Sequence, residues 1–185
     1  SPALQNPKSL KIGQNIKFDI LVVRKYGIRI AGPLFDTMIA HYLLNPELRH
    51  GMDYLAETYL KYKTVRIEEL IGPRERKQLT MRDVPVVQVA EYAAEDADIT
   101  LKLKNYFTPC LEKEGLESLF YDIEMPLIYV LAEMEYTGVT LDTVALKQSS
   151  EELTTALKKL EKEIYELAGM KFNINSCLLY TSDAA

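Results

Sequence analysis

Residues from about Val84 to Phe107 read as one long helix, and this segment constrains the fold more than any other. Ala90, Ala93, Ala94 and Ala97 give it a stripe of small side chains along which a second element can approach closely. Inside it lies the run Glu91-Tyr-Ala-Ala-Glu-Asp-Ala-Asp-Ile-Thr100. Tyr92 and Asp96 are four residues apart, so they stack on one face with roughly 6 Å between Cβ atoms. A carboxylate there can hold a divalent cation, and a hydroxyl one turn away can steer a water bound to it. That pairing suits metal-assisted hydrolysis of a phosphodiester. The plain alternative is a core tyrosine beside a solvated aspartate. Asp98 points about 200° around the helix from Asp96 and reads as an exposed residue.

A second pair lies 77 residues upstream in Gly13-Gln-Asn-Ile-Lys-Phe-Asp19. The stretch from Leu10 alternates like a short strand. Asn15 and Asp19, again four apart, open a predicted helix that runs to Tyr26 and is closed by Gly27. An amide and a carboxylate where a strand enters a helix N-terminus suit phosphate or a hydrated metal. Asn15 as a simple helix cap, with Asp19 favouring the positive helix end, is the competing structural reading.

The remaining segments predict alternating strands and helices, then helices alone. Ile28–Ile30 and Leu34–Asp36 read as strands, with Asp36 the N-cap of a helix over Thr37–Leu44 that Asn45-Pro46 stops. Met52–Tyr62 shows a helical apolar face. The charged run 74–77 marks a loop, and Glu114-Gly115 a boundary. Ser118–Tyr136 is apolar at helical spacing, with Pro126 as a kink or restart. A helix then runs from Asp142 or Thr143 to about Ala168. On residues alone this last part is an amphipathic helical hairpin, open equally to a partner-docking role.

Composition sets outer limits. The 185 residues suffice for one domain, or one and part of another. A net charge of −5 argues against a generally polyanion-binding surface, although a site made of carboxylates is locally acidic and recruits phosphate through metal ions. Cys110 and Cys177 have no ligand spacing and read as free thiols of a reducing compartment. No apolar run reaches the ~18–20 residues of a membrane span. A cytoplasmic protein with no membrane partner is expected.

Together the two pairs resemble the second and third motifs of the tyrosine-containing branch of the DEDD exonucleases. From about Lys11 to Ser176 the chain resembles the bacterial DNA polymerase I family (family A). The resemblance rests also on Phe35-Asp-Thr-Met38, Arg49-His50, Met52-Asp53 with Leu55-Ala-Glu57, Ile123-Glu-Met-Pro-Leu127, Tyr136-Thr-Gly-Val-Thr-Leu-Asp142 and Phe172-Asn-Ile-Asn-Ser176. It implies an α/β fold: the C-terminal part of a ribonuclease H-like 3′–5′ exonuclease domain over 1–116, then N-terminal helices of a polymerase domain over 117–176, leading into the thumb. Residues 177–185 depart from the family pattern and are expected to be a foreign tail.

The same resemblance assigns roles. Two Mg²⁺ or Mn²⁺ ions about 4 Å apart would clamp the scissile phosphate. Asp96 would ligate one, Tyr92 would orient the attacking water, and Asp19 would hold the other through its water shell. Gln14, Asn15, Lys17, Phe18, Arg49 and His50 would contact DNA, Phe18 by stacking on the terminal base. Core packing for Phe18, a turn role for His50, solvent for Lys17 and a structural role for His41 are the alternatives. The implied partners are a single-stranded 3′ end, a primer–template and deoxynucleotides, and the implied state is a monomer. The family's first motif, Asp-x-Glu, has no counterpart before Asp19, so a piece of a longer polymerase, inactive by itself, is expected. A ribonuclease D-like exoribonuclease and a noncatalytic exonuclease-like scaffold are the other readings.

Overall fold

The computed structural model describes residues 2–73 and 78–175, so the predicted 74–77 loop and the expected foreign tail lie outside the described residues. They form two compact units, divided at Gly138/Val139. The first is built on a βαβ crossover. Strand β1 (Lys11–Gly13) pairs in parallel with β2 (Leu34–Asp36), with Lys11 opposite Leu34 and Gly13 opposite Asp36. Helix α2 (Ile16–Arg24) connects them, as a parallel pair requires a crossover. A short helix α1 (Pro2–Gln5) precedes β1. The Lys11 ammonium is buried beneath this leading segment and donates to the carbonyls of Asn6, Ser9 (2.9 Å) and Ala31.

Asp36 organises the turn out of both strands. Its carboxylate accepts from Met38 N (2.9 Å) and Ile39 N (3.2 Å), capping α3 (Thr37–Leu44) as its sequence position predicts. It also accepts from Ile16 N (2.7 Å) and Asn15 N (3.2 Å), at the start of α2. One buried carboxylate therefore satisfies the orphan donors of two helices. Asn15 consequently makes no side-chain cap, which corrects the structural alternative for it. It stands instead in the left-handed region (φ 60°), which asparagine tolerates better than other residues with a Cβ.

Further along, α4 (Met52–Leu55) passes into a π-helical turn over Ala56–Leu60, and α5 (Ile67–Ile71) follows. The long helix α6 spans Val86–Glu114. Ile99, Leu103, Phe107 and Leu111 recur every fourth residue on its buried face and meet Phe35, Ala40, Leu55 and Phe120 in the core. A second π-helical turn, Leu119–Glu124, leads into α7 (Met125–Thr137), which packs on α2 and β2. Arg24 locks α2 to α7, bonding Glu133 through both guanidinium arms (2.6 and 2.9 Å) while its guanidinium lies 3.7 Å from the Tyr136 ring centroid.

Several expectations change here. Ile28–Ile30 forms no strand, because β1 and β2 pair only with each other. The long helix does not stop at Phe107 but runs through Pro109. Thr108 and Cys110 side chains bond the Lys104 and Tyr106 carbonyls on either side of that break, and buried Leu111 rewards the extra turn. The Met52–Tyr62 helix is interrupted by the π turn, where Lys61 turns left-handed (φ 56°). Ala90, Ala93, Ala94 and Ala97 are all exposed, so the small-residue stripe is not a buried packing seam, although Ala97 lines the cleft beside β1. The first compact unit runs to Gly138, and α7 buries Met125, Ile128 and Ala132 against its core.

The second unit is dominated by α8 (Thr143–Ala168). Asp142 caps it by accepting from Val144 N and Ala145 N, and Gly169 ends it at φ 67°. Leu146, Leu153, Leu157, Leu160, Ile164 and Leu167 share one stripe and are exposed. Beyond the helix, Tyr165 packs on Phe172 and its hydroxyl bonds the Phe172 carbonyl. No helix of the described residues is long and apolar enough to cross a membrane.

Candidate exonuclease site

One cleft of about 560 Å³ brings together one carboxylate from each sequence pair, Asp19 and Asp96, while Asn15 and Tyr92 lie outside its lining. Its walls are Ile12, Gly13, Gln14 and Asp19 on one side, and Asp96, Ala97, Thr100 and Leu101 of α6 on the other. Contact between β1 and α6 makes this possible, because it sets the end of β1 beside the middle of α6. Gly13 permits the sharp turn from strand to helix. A Cβ built there would lie 2.8 Å from the Ile16 Cβ, closer than packed atoms tolerate.

The electrostatics of the cleft are those of carboxylates without a countercharge. Burial first, and then the neighbouring Asp36 charge, push the Asp19 carboxyl above its ordinary value. Asp96 is also raised, chiefly by burial, with the charges of Glu95 and Asp53 adding to it and the Tyr92 hydroxyl opposing. The Tyr92 phenol is raised by burial and then by the charge and hydrogen bond of Asp96. Tyr92 and Asp96 therefore interact as their i,i+4 spacing predicts, both half-buried. Among the described residues no cluster of three or more potential ligands gathers to hold a metal. Two hard carboxylate oxygens from opposite walls nevertheless fit an ion such as Mg²⁺, which takes one or two protein carboxylates and keeps its other positions for water and phosphate.

The residues expected to meet DNA divide into two groups. Phe18 is 62% exposed, so it is not the core residue of the alternative reading, and its ring is free to stack. Asn15 and Arg49 are exposed as well. Lys17, in contrast, is paired with Glu135 of α7. Gln14 is engaged at both ends of its amide: Nε2 donates to the His50 carbonyl (2.7 Å), and Oε1 accepts from the Thr37 hydroxyl. The His50 ring is turned inward, with Nδ1 2.7 Å from Nδ1 of His41. His41 is fully buried and structural. Asp98, as expected, is exposed and pairs with Lys102 one turn on.

Sequence reasoning missed three contributors. Thr100 lies one turn beyond Asp96 on the same face, a spacing that was available to find it. Thr37 holds the Gln14 amide and carried no local signal. Glu95 accepts from the Tyr62 hydroxyl (2.6 Å) and Val65 N (2.9 Å), clamping the 62–65 segment beside Tyr92. That partnership spans thirty residues of sequence, so no local pattern discloses it.

A βαβ-based fold with paired carboxylates and a phenol on a long helix defines a class, the ribonuclease H-like 3′–5′ exonucleases. Residues 1–112 match the family model of the 3′–5′ exonuclease of family A DNA polymerases, and the chain belongs to that family. It is 42% identical over 179 residues to DNA polymerase I of Pseudomonas aeruginosa, covering 95% of this chain and 20% of that protein. To DNA polymerase I of Borreliella burgdorferi it is 40% identical over 171 residues, covering 92% and 18%. The chain thus spans about a fifth of the length of these relatives. In structure it is similar to the POL domain of Pol1 from M. smegmatis, solved in complex with DNA primer-template and dNTP. That likeness has a TM-score of 0.78 at 23% identity and covers 97% of this chain and 28% of the other.

Proposed function

We propose that this chain supplies one wall of a proofreading site in a DNA polymerase I, where the 3′ end of a single DNA strand is hydrolysed in the presence of divalent cations. The convergence of Asp19 and Asp96 on one cleft carries this reading, within a segment matched by the exonuclease family. Asp19 and Asp96 are the residues that would hold two Mg²⁺ or Mn²⁺ ions. Such ions, when bound, supply Lewis-acid activation of water and neutralise the phosphodiester. Tyr92 orients the attacking water through its hydroxyl, Phe18 offers a stacking face for the terminal base, and Asn15 and Arg49 meet the strand from the rim. Residues 117–176 begin the polymerase domain, and the whole protein works as a cytoplasmic monomer on primer–template and deoxynucleotides. Its relatives are DNA polymerases, which lends no support to the ribonuclease D-like or scaffold readings.

The test is an ordering of two variants in the full-length protein. Asp96→Ala removes a cation ligand that water cannot replace, and abolishes 3′–5′ degradation of end-labelled single-stranded DNA. Tyr92→Phe removes one orienting hydroxyl and lowers the rate by a smaller factor, on the order of 10²-fold. Both leave nucleotide incorporation unchanged. Equal exonuclease rates in wild type and Asp96→Ala would overturn the assignment.

A further inference from the structure

A part-buried hydrogen-bond chain runs through the buried His41 to the cleft. Asn45 Nδ2 donates to the Tyr59 hydroxyl (3.3 Å), which lies 2.8 Å from His41 Nε2. His41 Nδ1 meets His50 Nδ1 at 2.7 Å, and the His50 carbonyl accepts from Gln14. Proton counting allows the chain two directions, each without a lost bond. In one direction the Tyr59 hydroxyl, which accepts from Asn45, donates to His41 Nε2. His41 then carries its proton on Nδ1 and donates it to His50. With the other neutral tautomers the direction reverses without loss of a bond: His50 Nδ1–H donates to His41 Nδ1, and His41 Nε2–H donates to Tyr59. The contact needs one Nδ1–H and one bare Nδ1, so the tautomers of the two rings are coupled.

This arrangement uses up the His50 side chain. Its ring is held by His41 and stands edge-on to Tyr42, with centroids 5.4 Å apart. The carbonyl of the same residue fixes the Gln14 amide, whose other end Thr37 holds from the N-terminus of α3. A carbonyl can only accept, so the amide is fixed in orientation as well as in place.

We infer that His41 is a positioning residue of the exonuclease site: acting through His50, it latches the 45–51 turn to α3 and thereby sets the Gln14 amide in the cleft for the DNA 3′ end. The inference rests on the proofreading reading above. It assigns His50 an inward, structural imidazole in place of direct contact with DNA.

The experiment is a set of steady-state exonuclease measurements on the full-length polymerase with single-stranded DNA. His50→Ala, His41→Leu and Gln14→Ala each raise KM about tenfold, roughly the worth of one hydrogen bond, and leave kcat within about twofold. Residues acting through one another are non-additive, so His50→Ala combined with Gln14→Ala is no worse than either alone. This double variant carries the test even if His41→Leu fails to fold, since His50 and Gln14 lie at half-buried turn positions. A KM that rises for His50→Ala but not for a folded His41→Leu means direct DNA contact and overturns the inference, as do multiplicative effects in the double variant. Exonuclease activity that survives Asp96→Ala in the same assay overturns the site reading itself, and is seen independently of the latch variants.

Discussion

At the scale of single residues, the molecule places titratable groups where burial dominates their behaviour. His41 shows this most clearly. Burial, and then the charge of His50, lower its pKa from 6.5 to about 4. Between those values the unfolded chain binds a proton that the native state refuses, so stability falls as pH drops from 6.5 towards 4 and is unaffected above 6.5. The facing groups, Tyr59, Tyr54 and the His50 ring, do not ionise to anions in this window and offer the imidazolium no countercharge. Thermal melts across pH 4–8 should show this acid loss, with a slope of at most about 1.4 kcal/mol per pH unit from one group. His41→Leu should flatten it, and an unchanged slope would reject the buried neutral imidazole. The same burial lifts Asp19 and Asp96 above their ordinary values.

Among the elements, the β1–α2 junction has the least room for change. Gly13 ends the strand, Asn15 turns left-handed, and Asp36 gathers the first free N–H groups of α2. Gly13→Ala forces a methyl against the Ile16 Cβ, an atom fixed by the backbone. The expected loss is about 1–3 kcal/mol, as for other overpacked sites, read from chemical denaturation midpoints. The turn also carries Gln14, so in the full-length polymerase the substitution should raise the exonuclease KM for single-stranded DNA while incorporation stays normal. Wild-type stability for Gly13→Ala would mean that the junction relaxes freely. Helix α6 teaches a different lesson. Its propensity signals end near Phe107, but Leu111 is buried and two side-chain bonds flank Pro109, so tertiary packing outweighs the proline.

At the scale of the whole molecule, the described residues bring two carboxylates to the cleft and no third ligand joins them. A two-ion phosphodiester clamp needs more anionic donors than that. The 185-residue chain by itself is therefore expected to leave end-labelled single-stranded DNA intact in Mg²⁺. Metal-dependent shortening from the 3′ end by purified chain would show that Asp19 and Asp96 suffice. The compact first unit runs to Gly138 because α7 is joined to α2 by packing and by the Arg24–Glu133 pair.

What the sequence determined by itself was local and periodic. The Tyr92–Asp96 pair follows from 3.6-residue geometry, the Asp36 and Asp142 caps from side chains that accept backbone N–H groups, and the exposed Asp98 from its angle around α6. Family motifs placed Asp19 and Asp96 in one site before any distance was known. Tertiary structure decided the rest, because it depends on which distant segments touch. Asn15 reads as a cap until Asp36, 21 residues away, takes its place. Nothing local to Lys17 points to Glu135, which pairs with it from 118 residues away. Nothing local to His50 points to the ring of His41, whose Nδ1 its own Nδ1 meets. A hydrogen bond or ion pair is satisfied by whichever partner the fold brings near, and proximity across a chain is set by core packing, which no local pattern encodes.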